Sequence, residues 1–159
     1  IMQAHNLCYT TMATNIDEVA HLREGDDYIP VPLPEGTVYF VKAHVKKSIL
    51  ANLLEDWLGQ RKAIRKRIPE AEPEEQTLLD KQQLAIKVTC NSVYGFTGTA
   101  SGYLPCLPIA SSVTHIGRAM LLNAVNFVPS RWTSPEKLIA DAPSFTTARF
   151  EPDTFKVRI

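Results

Sequence analysis

Two stretches of helical period, joined by a link that no helix can pass through, constrain this chain more than any other feature. Over residues 48–68, Leu50, Leu54, Trp57, Ile64 and Ile68 return to one stripe at spacings of three, four and seven, and Leu53 joins them. Pro69-Glu70-Ala71-Glu72-Pro73 follows, and the prolines that bracket it end the first helix. The pattern predicts a second helix over 74–94, ending before Gly95 as a natural C-terminal glycine. At a rise of 1.5 Å per residue each helix reaches roughly 30 Å. So short a link makes the two antiparallel neighbours, a helical hairpin.

The rest of the chain reads less sharply. Residues 1–14 mix apolar and polar side chains without clear period. Residues 15–36 are charged and proline-rich (Ile29-Pro30-Val31-Pro32-Leu33-Pro34) and are expected to form an irregular surface excursion. Thr37-Val38-Tyr39-Phe40-Val41 reads as a strand. A glycine-bearing loop is expected over 95–102 and a third helix over about 108–127, with Ile109, Val113, Ile116, Met120 and Ala124 on its inner face. Residues 129–152 look loop-like, and Phe155-Lys156-Val157-Arg158-Ile159 alternates as a strand does. The chain starts on Ile1 and ends inside that alternation, so it is expected to be an internal piece of something larger.

Composition sets the class. With 45% hydrophobic and 21% charged residues among 159, the chain suits a folded protein and not a disordered tail. Seventeen Lys and Arg balance seventeen Asp and Glu, so no overall basic field attracts a polyanion and any such function must come from local clustering. Cys8, Cys90 and Cys106 are an odd set without CxxC spacing, which argues against a disulfide framework or a zinc site. No apolar run nears the roughly 18 residues of a membrane helix, so a soluble, intracellular protein is expected.

The clustering is on the hairpin. Arg61 interrupts the apolar stripe of the first helix, where a guanidinium is costly without a partner. Arg65 projects about 40° from it, one turn on, and residues 61–67 hold five basic side chains. On the second helix Lys87, Asn91 and Tyr94 stand at i, i+4 and i+7 on one face, while Ile86, Cys90 and Val93 can pack inward. Two guanidiniums and an ammonium beside one groove suit a triphosphate. Plainer readings exist for each. Lys62, Lys66 and Arg67 can complement a helix C-terminus, as Glu72, Glu74 and Glu75 complement the next N-terminus. Arg61 can pair with a core acid, Lys87 and Asn91 can be a solvated face, and Tyr94 a packing aromatic. Gly25-Asp26-Asp27 reads as a surface turn and not a metal motif.

Lys87-Val88-Thr89-Cys90-Asn91-Ser92-Val93-Tyr94-Gly95 resembles the Lys-x-x-x-Asn-Ser-x-Tyr-Gly motif of family B DNA polymerases. Gln60-Arg61-Lys62-x-x-Arg65 is similar to that family's other triphosphate-binding helix, and Ile1-Met2-Gln3-Ala4-His5-Asn6-Leu7-Cys8 to the residues just after its first metal motif. Phe96-Thr97-Gly98, Leu104-Pro105-Cys106-Leu107 and Ile116-Gly117-Arg118 resemble the herpesvirus replicative branch. The likeness covers 1–14 and 37–128 well and is weak over 15–36 and 129–154.

The resemblance implies an α-rich fragment of an α+β right-hand polymerase: a fingers hairpin, an antiparallel helical pair, plus an incomplete palm. Residues 1–45 would be palm and a surface loop, 46–95 the fingers hairpin, and 96–159 a palm loop, palm helix and the start of a palm strand. It implies that Arg61, Arg65 and Lys87 hold the incoming nucleotide's phosphates, with Lys87 also a proton donor to the leaving pyrophosphate. Arg65 stands where relatives often carry lysine. Asn91 would position the nucleotide, Tyr94 would floor the nascent base pair, and Gly95 would let backbone approach the template. Two magnesium ions are implied, held by an aspartate before Ile1 and by a Tyr-Gly-Asp-Thr-Asp hairpin after Ile159, so the piece alone is expected to extend no primer. Primer-template DNA, dNTPs, a processivity factor and viral DNA replication in a host nucleus are implied in the same way. A non-catalytic basic hairpin that grips nucleic acid is the alternative, and an RNA-templated enzyme a third reading, disfavoured by the motif's form.

Overall fold

The computed structural model describes residues 1–145 and 155–157. It divides into two compact units, residues 1–115 and 116–159. In the first, a small antiparallel sheet is made of β1 (Met12–Ala13), β2 (Tyr28–Leu33) and β3 (Gly36–Val41), in the order β1-β3-β2. Phe40 on the central strand is wholly buried, and Ala13, Val19 and Tyr28 form a cluster with Leu22, Tyr39 and Val41 packed against it.

β2 corrects the expectation of an irregular excursion, since Tyr28-Ile29-Pro30-Val31-Pro32-Leu33 pairs with β3 from Tyr28↔Val41 to Leu33↔Gly36. The prolines are tolerated because β2 is an edge strand and both have the same parity. The carbonyl of Tyr28, of that parity too, points outward to accept from the Gly25 N–H at 2.9 Å. Their missing N–H groups therefore fall on the unpaired edge. Gly36, at φ +137°, closes the two-residue connection.

The base of the hairpin is fixed by Asn6. Its buried carboxamide donates to the carbonyls of Val41 and Lys46 at 2.7 and 2.8 Å and accepts from the Ser48 N–H at 2.9 Å. Asn6 adopts φ +56°, a left-handed conformation that asparagine tolerates better than most residues. The Ser48 hydroxyl then caps α1 (Ile49–Arg67) by accepting from the Ala51 N–H at 2.8 Å. A short 3-10 turn, Ile68–Glu70, leads to α2 (Pro73–Gly98), so the predicted helix–turn–helix is present. Arg67 bonds Glu75 at 2.8 Å near the tip.

α2 does not stop before Gly95. It continues to Gly98: Thr97 is buried, and the Gly98 position is in van der Waals range of Ala110, where a Cβ would lie 3.5 Å from the Ala110 Cβ. The final turn thus docks on the start of α3 (Leu107–Arg131), and the Cys106 N–H donates to the Thr97 carbonyl at 2.8 Å. Between the helices, the Tyr9 hydroxyl donates to the Leu104 carbonyl.

In the second unit α3 runs on past the expected end near 127, with Pro129 in its last turn. Ile109 and Ile116 are buried as expected, but Met120 and Ala124 are exposed. α4 (Pro135–Asp141) and a 3-10 turn, Pro143–Phe145, replace part of the expected loop. Asp141 accepts from Arg131 Nε and Nη2 at 2.8 and 3.1 Å and from Trp132 Nε1 at 2.9 Å. Of the strand expected over 155–159, residues 155–157 form no strand and 158–159 lie outside the described residues, as do 146–154.

Candidate functional site

The stripe of α1 buries Leu50, Ala51 and Leu54 and then fades outward, leaving Arg61 half-buried where the pattern placed it. Its partner is not an acid. Arg61 Nε donates to Gln83 Oε1 at 3.1 Å, across the hairpin, and Gln83 Nε2 donates to Asp80 Oδ1 at 3.0 Å. Leu58, Arg61, Lys62, Arg65 and Lys66 line one groove of about 340 Å³. Five residues of one helix surface thus give four cations and one leucine. None of the four has a carboxylate within ion-pair distance among the described residues. Four like charges so close together raise the local positive potential along this face of α1.

On α2, Val93 is buried and Ile86 and Cys90 are half-buried, which is the inward face expected of them. Lys87 and Asn91 are exposed beside it, and Tyr94 is 42% exposed. The Tyr94 hydroxyl lies 3.4 Å from Thr114 Oγ1 on α3, so the ring is tied at its tip while one side stays open. Gly95 is exposed, with nothing within 4 Å of where a Cβ would be.

Arg61 and Arg65 therefore share a groove, whereas Lys87, Asn91 and Tyr94 are not among its lining. The bond to Gln83 relates the two sets. Lys87 stands one helical turn beyond Gln83, about 6 Å along α2 and about 40° around it. The Arg61–Gln83 bond was not legible in the sequence, though a signal existed: Gln83 is the polar interruption of α2's inner stripe, as Arg61 is of α1's.

Away from the hairpin, Gly25-Asp26-Asp27 is a turn whose acids are already engaged. The Arg23 backbone N–H, the His44 imidazole and the Arg23 side chain hold the Asp27 carboxyl at about 2, well below its ordinary 3.8. No group of three or more His, Cys, Asp or Glu that could hold a metal occurs among the described residues. No helix among them is long and apolar enough to cross a membrane.

Comparison with known proteins gives this arrangement its context. The profile of DNA polymerase family B matches residues 1–159. The chain belongs to that family. It is 54% identical over 143 residues to the DNA polymerase catalytic subunit of Equine herpesvirus 1 (strain Ab4p), covering 90% of this chain and 12% of that protein. It is 45% identical over its full 159 residues to the DNA polymerase catalytic subunit of Varicella-zoster virus (strain Dumas), 13% of that protein. Among solved structures it resembles the family B DNA polymerase of the hyperthermophilic archaeon Pyrobaculum calidifontis, at a TM-score of 0.61 and 29% identity, over 79% of this chain and 16% of that one. The chain thus spans about one eighth of the length of the curated relatives it matches.

Proposed function

We propose that this chain is the nucleotide-gripping part of a DNA-directed DNA polymerase, in which α1 and α2 are the fingers hairpin and the remainder belongs to the palm. Arg61, Arg65 and Lys87 hold the triphosphate of the incoming dNTP, Asn91 positions the nucleotide, and Tyr94 with Gly95 meets the nascent base pair on primer-template DNA. The observation that carries this reading is the α1 groove, whose four cations lack acidic partners and stand beside a second helix bearing Lys87. A non-catalytic basic module is not favoured for a member of a polymerase family. Viral DNA replication in a host nucleus, with a processivity factor, goes with the likeness to herpesvirus catalytic subunits.

Phosphoryl transfer asks a protein for positioning and charge neutralisation more than for covalent chemistry. Guanidiniums offer fixed, forked donors to phosphate oxygens, and Lys87 a mobile point charge. As the pyrophosphate leaves, Lys87 Nζ–H donates the proton that its bridging oxygen needs. A pair of divalent ions, magnesium in this reading, neutralises charge at the reacting phosphorus in such enzymes. The described residues hold no group of three or more His, Cys, Asp or Glu that would serve as ligands to such ions.

The test is Lys87→Ala in the full-length polymerase carrying this sequence. A charge-assisted bond of this kind predicts a loss of about 100-fold in kcat/KM for dNTP, with primer-template affinity unchanged. A uniform loss of DNA affinity with a shallower salt dependence would instead mark a phosphate contact to nucleic acid.

A further inference from the structure

Gln83 lies where the inner stripe of α2, otherwise Leu79, Ile86, Val93 and Thr97, turns polar. Its two hydrogen bonds fix the amide's direction. The Asp80 carboxylate can only accept, so it takes the NH2 group at 3.0 Å and turns the Gln83 carbonyl oxygen toward Arg61 Nε at 3.1 Å. Arg61 is then held through Nε alone, and its two terminal amino groups have no hydrogen-bond or ion-pair partner among the described residues. A glutamate in the same place would also hold Arg61, but as an ion pair that competes with any anion for the guanidinium.

We infer that Gln83 is a positioning residue that aims the terminal amino groups of Arg61 at a polyphosphate in the α1 groove, its neutrality leaving the guanidinium's charge available to that ligand. This rests on the triphosphate-binding reading above and adds a residue to it. A neutral acceptor orients the cation without neutralising it, and Asp80 acts one step further back by orienting the amide. Arg61 is thereby restrained before the nucleotide arrives, which reduces the side-chain entropy lost on binding.

The experiment is steady-state dNTP incorporation on a primed template by the full-length polymerase carrying this sequence. Gln83→Met keeps length and removes the acceptor, and Gln83→Glu keeps the acceptor and adds charge. Gln83→Met is expected to raise KM for dNTP about five-fold, the size of one ordinary hydrogen bond, with kcat within about two-fold. Gln83→Glu is expected to raise KM further, and the excess should shrink as pH falls toward the glutamate's own titration. In an Arg61→Ala background neither substitution should raise KM again. An equal rise in that background would overturn the proposal, as would an unchanged KM for Gln83→Met when Arg61→Ala alone raises it. If Arg61→Ala itself leaves KM unchanged, the triphosphate reading falls and this inference falls with it.

Discussion

Arg131 and Arg61 carry the same guanidinium in opposite circumstances. Arg131, at the end of α3, meets Asp141 through two nitrogens at 2.8 and 3.1 Å, and Trp132 shares the same carboxylate. Arg61, half-buried on α1, meets only the neutral amide of Gln83, among Lys62, Arg65 and Lys66. The loop before β2 behaves like the first case, with Arg23 and His44 both on Asp27. Charge on the periphery is matched locally, and the charge of Arg61, Lys62, Arg65 and Lys66 is not. Glu74 and Glu75 stand in the first turn of α2, where Glu75 takes Arg67 and leaves the groove alone. The peripheral pairs tie neighbouring segments to each other; in the proposed reading the unpaired cations of the groove are met by a ligand's charge.

That contrast can be broken from either side. Within the α1 groove the largest effect is expected from Arg61→Ala, which removes a forked donor: about 30-fold in kcat/KM for dNTP, read by steady-state incorporation, below the roughly 100-fold expected for Lys87→Ala. Lys62→Glu imports the missing acid, one turn from Lys66 and three residues from Arg65, and so makes the groove resemble the Arg131 site. A loss of about 10-fold in kcat/KM is expected, lessening as the carboxylate is protonated. Arg65→Lys keeps the charge and loses the fork, for about a 3-fold loss.

The smallest effect on nucleotide use is expected on the paired side. Asp27→Asn should leave KM for dNTP within about 2-fold, because the Asp27 clasp touches none of the groove residues. Its effect belongs to acid stability. With a carboxyl held at about 2, the clasp's contribution is fully present above the unfolded value near pH 4 and is lost as pH falls toward 2. Amide exchange of the loop around Asp27 in the full-length enzyme should show that acid-side loss of protection, and the asparagine variant should not.

The hairpin was legible because its physics is local. An apolar stripe of helical period and a proline-bracketed link suffice to specify two antiparallel helices, and the Arg61 interruption was visible in the same stripe. β2 was not legible, because Pro30 and Pro32 read as breakers until their parity and the strand's edge position are known. The end of α2 was misread for a related reason. Gly95 looks like a cap, but burial of Thr97 and packing of the last turn against Ala110 carry the helix onward, and no local rule contains α3. Gln83 sits in a run, Lys81-Gln82-Gln83, that resembles a solvated helix face; its place in the inner stripe separates it from Gln82, and the hydrogen bond from Arg61 gives that place a meaning.

The central claim is that Arg61 and Lys87, on different helices, hold one triphosphate. It is tested most directly by a structure of the full-length polymerase on primer-template with a non-reacting dNTP analogue bound. The account predicts Arg61 guanidinium and Lys87 ammonium nitrogens both about 3 Å from oxygens of that same triphosphate. A nucleotide held by Lys87 while Arg61 points to the far side of the hairpin, or the reverse, would contradict it.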